Sequence, residues 1–400
     1  MVRGNSIPSD LIWTGDINQR PEVQDGFDRT KTVRFYDTTL RDGEQAVGVV
    51  FSADAKYEIA CRLAELGVGR IESGFPRVSE EDTEAVRRIL SAGLTSEIWG
   101  FSRAVKADID AHIELGTTAV LIEIATSAQK MEAYGFTREK VITRMTDAIR
   151  HARDHGMKVN FFPVDCTRSD FDFLEQVYKA AIAAGAEDVS VVDTIGACAP
   201  EAVEFLIRKV ASWVGPDVPI HWHGHNDFGL ATAAAIAAVR GGATWIQGTI
   251  NGMGERAGNA DICEVALALQ CLYNVPVEMD LTKARQVSEL VCRKGNYQVD
   301  RWKPVVGEAL FIRESGAVAA QFHIPHAIEP YASAVVGARR GIVLGKKSGL
   351  ANIEIKAKEL NLQLPSGRLP GLLALVKEHS SRTHQLVSDQ EFIEMASSLQ

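Results

Sequence analysis

The sequence predicts an α/β fold, a (β/α)8 TIM barrel followed by a C-terminal, mostly helical accessory region. Three observations carry that expectation. Seven glycines each stand between a helical pattern and a short apolar run, where a helix needs a left-handed C-cap before a strand begins. With an opening strand at 33–36, these runs make eight strands alternating with helices over about 240 residues, the count of a (β/α)8 barrel. No G-x-G-x-x-G follows the first strand, so a doubly wound sheet lacks its own signature.

In chain order, Gly67 precedes the run 70–72, Gly93 precedes 98–100, and Gly116 precedes 119–124. Gly156 then precedes 159–162, Gly185 precedes 189–192, Gly215 precedes 220–222 and Gly242 precedes 244–250. Between them lie amphipathic stretches. Ser52 can cap a helix with Ile59, Leu63 and Leu66 on one face; Ser79, with Asp82 three residues on, can cap one burying Val86, Ile89 and Leu90. The pattern ends near Tyr273, where Val275-Pro276 breaks the last helix. The expected organisation is an N-terminal extension at 1–30, a catalytic barrel at 31–275, and an accessory and dimerisation region at 276–400. That last region carries helical patterns at 281–292 and 372–379, and between them a basic stretch with Arg339, Arg340, Lys346 and Lys347.

Composition narrows the class of function. The 400 residues are 46% hydrophobic and 24% charged, the globular average, which excludes disordered, collagen-like and coiled-coil chains. The longest nearly uncharged apolar run, 230–239, is far short of a membrane span. The first thirty residues mix charges without an apolar core, so no secretory signal is expected and the protein is read as cytoplasmic. A net charge of −9 disfavours nonspecific nucleic-acid or membrane-surface binding. Six cysteines without C-x-x-C spacing read as free thiols.

In such a barrel, chemistry belongs at the carboxyl ends of the strands. Those positions hold residues 37–42, Glu72, Thr126-Ser127, Asp165, Asp193-Thr194, residues 223–227 and Asn251, a polar ring from six or more strands. Its sharpest part is His221-Trp-His-Gly-His225-Asn-Asp. Alternate side chains of a strand share a face, so two of these imidazoles can enter one pocket, and a carboxylate from another strand would complete a divalent metal site. Spacing fits His221 with His223 as well as His223 with His225; the carboxyl end of the strand favours the second pair. Arg41 beside Asp42 can place a fixed cation where a carbonyl is polarised, or simply form an ion pair with Glu72 or Asp37. The glycine-rich loop 251–260 lies where barrels often place phosphate groups, although an ordinary tight turn also fits.

These residues resemble a known family. DTTLRDGEQ at 37–45, IESGFP at 71–76, VVDTIGACAP at 191–200, HGHNDFGLA at 223–231 and NGMGERAGNA at 251–260 are similar to the homocitrate synthase and 2-isopropylmalate synthase group. That group belongs to the wider metal-dependent barrel family that also holds 3-hydroxy-3-methylglutaryl-CoA lyase. The resemblance is strong over 31–275 and weak over 300–350, through GEALFIRESG and VLGKKSG. It implies that Asp42, His223 and His225 bind a divalent Mg, Mn or Zn ion, with Asn259 as a weaker ligand. It further implies that Arg41 polarises a 2-oxo acid, Glu72 holds Arg41, Thr194 contacts the substrate carboxylate, and the loop at Gly252, Gly254 and Glu255 lies near the acyl-CoA. The reaction implied is attack of an acetyl-CoA enolate on the keto carbon, drawn forward by thioester hydrolysis, in a homodimer whose residues near Arg313 reach the partner's site.

Several positions depart from that pattern. Where the synthases read F-x-H-x-S-G-I-H, this chain has Phe311-Ile-Arg313-Glu-Ser-Gly-Ala-Val318, and their Ser-x-Glu-Asp becomes Phe162-Pro-Val164-Asp165. Their T-S-x-x-H ends here in Lys130, and their G-K-H-S-G carries Lys347. Two groups favoured for enolising the acetyl donor are thereby missing, while Lys130, Arg313 and Lys347 in place of histidines point to a more anionic substrate. The expectation is a metal-dependent synthase joining an acyl-CoA, acetyl-CoA in the first instance, to a 2-oxo acid, without leucine feedback given the chain's length. Alternatives are an aldol or retro-Claisen lyase of the same family, a two-His-carboxylate iron oxygenase, or a non-catalytic relative.

Overall fold

Strand formation follows the apolar runs, and the runs close on themselves. In the computed structural model, which describes residues 7–399, the strands are β1 (Arg34–Asp37), β2 (Arg70–Glu72), β3 (Glu97–Arg103) and β4 (Ala119–Ala125). They continue as β5 (Lys158–Val164), β6 (Asp188–Asp193), β7 (Ile220–Gly224) and β8 (Trp245–Gly248). All eight are parallel, each pairs with the next, and β8 returns to β1 with Trp245 opposite Arg34 and Gly248 opposite Asp37. The expected (β/α)8 barrel is therefore the observed one.

The punctuation works as its chemistry requires. All seven junction glycines have φ between 62° and 115°, the region where a side chain would cost about 1–2 kcal/mol. Ser52 Oγ accepts from the Ala55 N–H at 3.2 Å and Ser79 Oγ from the Asp82 N–H at 3.0 Å, so both expected caps form. Behind them Ile59, Leu63, Val86 and Ile89 are wholly buried, facing the sheet.

Inside the barrel the amino end is sealed by charge as well as by hydrocarbon. The Arg70 guanidinium lies 4.4 Å from the Trp99 ring and 4.0 Å from the Trp245 ring, and forms ion pairs with Glu97 at 2.9 Å and with Asp188. Pairing and stacking together compensate its lost hydration.

The described residues fall into two compact units, 15–299 and 300–399 with 7–14. The expected boundary after 275 lies inside the first unit, because the helix Ala284–Gly295 packs on the helix Ala53–Leu66. Ser288 and Tyr297 also hydrogen-bond Asn251, at 2.6 and 2.9 Å. The expected extension 1–30 is likewise divided. Gln24 donates to the Leu272 carbonyl at 2.8 Å and Phe27 packs on Tyr273, whereas Trp13 donates its N–H to Pro330 in the second unit.

In the second unit, helices Leu350–Glu359, Leu369–Thr383 and Asp389–Ser398 bury Ile353, Leu372, Val376 and Phe392. Two-residue strands Ile312–Arg313 and Gly341–Ile342 pair in parallel beside them. The basic stretch there is partly interior, since Arg340 binds the buried Glu329 at 2.8 Å and stacks on Phe322. Among the described residues no helix is long and apolar enough to cross a membrane.

Candidate active site

The turn after β1 and the end of β7 face each other across the carboxyl end of the barrel. The Thr38 carbonyl accepts from the N–H groups of Arg41 and Gly43, at 3.2 and 3.0 Å, and this turn presents Arg41 and Asp42 over the strand ends. On β7 the period of two carries His221 and His223 to one face, and His225 continues it just beyond the strand.

Three ligand-type residues meet there. Asp42 Oδ2 lies 3.3 Å from His223 Nε2 and 3.7 Å from His225 Nε2, and the three side chains can direct ligand atoms at one point. Asp42 and His223 are 2% exposed and His225 8%, so bulk water does not screen them. Asp42 Oδ2 nevertheless has no hydrogen-bond partner, nor has Asn259 Oδ1. A buried carboxylate oxygen without a proton to accept, facing two imidazole nitrogens, suits a divalent cation and is costly otherwise. Burial pushes the Asp42 carboxyl up, but Arg41 and the imidazoles outweigh it and hold the pKa well below the usual carboxylate range. Burial lowers His225 to about 4, against the pull of Asp42, leaving the ring neutral for ligation at pH 7.

His221 belongs to a different layer. Its Nε2 lies 3.2 Å from Asp188 and 3.1 Å from Arg70, and its Nδ1 lies 3.2 Å from Gln247. Its place is in the polar floor with Arg70, away from Asp42.

Arg41 is fixed from three sides: Nε donates to Glu72, Nη1 lies 3.7 Å from Asp42, and the guanidinium sits 4.3 Å from the Phe101 ring centre. The ion pair with Glu72 thus exists, and it leaves Arg41 Nη2 buried with no acceptor. Thr194 Oγ1 accepts from the Asp165 N–H at 2.8 Å, so its own proton remains free to be donated. The glycine loop folds around Asn259, whose N–H donates to Gly252 at 2.8 Å and whose Nδ2 donates to Met253 at 3.1 Å. Gly254 leaves room for that amide, while Glu255 is exposed and lies 3.3 Å from Arg256.

Other members of the expected ring serve the scaffold. Asp165 accepts from Ser127 and Arg168, and Asp193 from Thr167 and the N–H groups of Ala197 and Cys198. Lys130 begins the short helix after β4, with no ion-pair partner among the described residues. Arg313 lies in the second unit, where it donates to the Leu310 and Ile312 carbonyls and lies 3.6 Å from Glu329.

Sequence reading missed three features. Arg256 clasps the strand ends together, with a forked pair to Asp227 at 2.8 and 3.1 Å and a bond to the Thr194 carbonyl at 2.7 Å. Phe162 sets its ring edge against His223 at 5.1 Å. Glu123 stands on β4 among apolar neighbours, in the same register row as Phe162; one acid inside an apolar strand was the available signal.

The chain is similar to proteins of known family. The chain is 42% identical over 335 residues to the 2-isopropylmalate synthase of Methanocaldococcus jannaschii, covering 83% of this chain and 64% of that protein. It is 37% identical to the homocitrate synthase AksA of Methanothermobacter thermautotrophicus, covering 92% of this chain and 94% of that one. Among solved structures, the hydroxymethylglutaryl-CoA lyase of Pseudomonas aeruginosa shares the fold, with a TM-score of 0.59 and 21% identity over 67% of this chain and 94% of the other. The HMGL-like family pattern matches residues 32–291, the whole barrel with most of the helix Ala284–Gly295, and the chain belongs to the HMGL-like family.

Proposed function

We propose that this chain is a divalent-metal-dependent synthase that joins the acetyl group of acetyl-CoA to the keto carbon of a 2-oxo acid. The observation that carries the reading is the buried triad of Asp42, His223 and His225 beside Arg41, whose Nη2 has no acceptor. The names of the relatives at 37–42% identity support it. Asp42, His223 and His225 would hold the ion, Mg, Mn or Zn, with the amide oxygen of Asn259 as a further ligand. When bound, the ion would act as a Lewis acid toward the oxo acid.

The chain's own groups supply the remainder. Arg41 Nη2 offers a fixed donor to the keto oxygen as charge develops on it, and Glu72 with Phe101 keeps the guanidinium from swinging away. The Thr194 hydroxyl donates to the substrate carboxylate. Gly252, Gly254 and Glu255 border the acyl-CoA, and Lys130 provides a cation for a second anionic group on the oxo acid. Arg313, 3.6 Å from Glu329, is a second cation for that group, offered to the partner's site in the homodimer. The reading extends to a homodimer acting in the cytoplasm, which size-exclusion chromatography and cell fractionation would check.

The test is release of free CoA thiol from acetyl-CoA with a panel of 2-oxo acids, before and after chelation of divalent ions. The expected result is thiol release with at least one oxo acid, abolished by the chelator and restored by Mg, Mn or Zn. Thiol release indifferent to the chelator, or cleavage of 2-hydroxy acids with no condensation, would contradict it.

A further inference from the structure

Condensation through an enolate needs a base at the carbon α to the thioester, of suitable pKa and within reach. The acids at the carboxyl end of the barrel are almost all committed. Asp42 faces the imidazoles, Glu72 holds Arg41, and Asp165 and Asp193 tie loops together. Glu123 differs from each of them. Its carboxyl group has no hydrogen-bond or ion-pair partner among the described residues, its bonds being those of the strand backbone. Its neighbour on β3, Arg103, spends its guanidinium on Asp108 at 2.6 and 3.0 Å.

Register fixes where Glu123 stands. Paired residues of parallel strands share a face of the sheet, and Glu123 pairs with Phe162, whose ring rests on His223. Two residues back, Leu121 pairs with Phe101, which carries Arg41. Glu123 therefore lies on the interior face that bears both the imidazoles and the catalytic-type arginine. It also lines a cavity of about 230 Å³ with Arg103, Phe136, Arg144 and Val164, a space that can admit part of a substrate.

We propose that Glu123 is the acid–base residue of this chain, a role that rests on the condensation reading. Its carboxylate takes a proton from the methyl carbon of the acetyl thioester, and the C–H electron pair becomes the enolate. The enolate carbon bonds to the keto carbon, whose π pair moves to oxygen. That alkoxide is protonated in turn and the carboxylate is restored. Burial pushes the Glu123 carboxyl up to about 7, against the opposing charge of Arg41, which makes it a stronger base than an exposed carboxylate. Val164 lines the same cavity from the neighbouring strand, paired with Ala125 two residues beyond Glu123, so a carboxylate placed there enters the same space.

The experiment measures thiol release by the full-length, metal-loaded protein and its variants. Glu123→Gln should lower kcat by about a hundredfold or more, with KM for the oxo acid and calorimetric binding of Mn unchanged. The acidic limb of the kcat–pH profile should disappear with it. In Glu123→Ala, adding Val164→Glu should restore about tenfold of the lost rate. Glu123→Gln that keeps kcat within about fivefold of wild type with the same pH profile would overturn the assignment, as would loss of Mn binding, which would mark a structural role. If the wild type itself releases no thiol with any oxo acid, the condensation reading fails and this assignment with it. Wild-type turnover unaffected in Glu123→Gln refutes the assignment alone.

Discussion

Three histidines on one strand and its continuation do two different jobs, and the difference is what each imidazole meets. His221 faces Asp188 and Arg70 with 0% exposure, while His223 and His225 face Asp42. His223→Ala and His225→Ala are each expected to abolish divalent-ion binding in calorimetry. His221→Ala should leave binding intact but cost about 2–4 kcal/mol of stability, through a cavity and the lost contacts of the imidazole with Asp188 and Gln247. Ion binding lost in His221→Ala and kept in His225→Ala would reverse the choice of ligands. The spacing of the histidines was legible and the carboxyl end of the strand favoured His223 with His225, but what His221 does instead was not, because Arg70 and Asp188 reach it from strands 151 and 33 residues away. For Arg41, removal to Ala should cost about 3 kcal/mol in kcat/KM, roughly a hundredfold, with ion binding retained. Arg41→Lys should recover little, since a point charge cannot keep both Glu72 and a substrate oxygen in a forked geometry. Full activity in Arg41→Ala would leave Arg41 only its ion pair with Glu72.

At the scale of elements, loop geometry sets the position of the candidate ligands. The loop after β8 returns to pair with the end of β7, Asn226 N–H donating to Gly258 at 2.9 Å and Ala260 N–H to Gly224 at 3.2 Å. Gly258 has φ +85° and faces the Gly252 carbonyl so closely that a Cβ would collide with it. Gly258→Ala is therefore expected to destabilise the protein by about 1–3 kcal/mol and to weaken ion binding by displacing Asn259, as denaturant unfolding and calorimetry would show. An unchanged ion affinity would remove Asn259 and its loop from the site. The helix–strand punctuation was readable because each junction glycine meets one local requirement. The left-handed Asn251 and Arg256 within the loop were not, because only the packing of Tyr297, Ser288 and Asp227 around them holds those residues there. Nor were the strands Ile312–Arg313 and Gly341–Ile342, which at two residues each are too short to show a period.

For the whole molecule, buried carboxyls give stability a dependence on pH. Burial raises Glu123 from an ordinary 4.5 to about 7, so the native state holds an extra proton between those values and loses stability as pH rises through them. Glu123→Gln should then stabilise the protein at pH 8 by about 1–3 kcal/mol and have little effect at pH 4, as denaturant unfolding at the two values would read. Equal effects at both would mean that the carboxyl is not destabilised by burial. The barrel itself was readable from eight runs, but its limit was not. Composition shows no change at Val299, and the helix Ala284–Gly295 joins the first unit through contacts with the distant helix Ala53–Leu66. The most direct measurement of the central claim is the fate of acetyl-CoA labelled with ¹³C at the methyl carbon, mixed with metal-loaded protein and a 2-oxo acid. The account expects the labelled carbon in a new bond to the former keto carbon, with one free CoA per product and no product in His223→Ala. Free CoA accompanied only by labelled acetate, or label returned unchanged with every oxo acid, would contradict it.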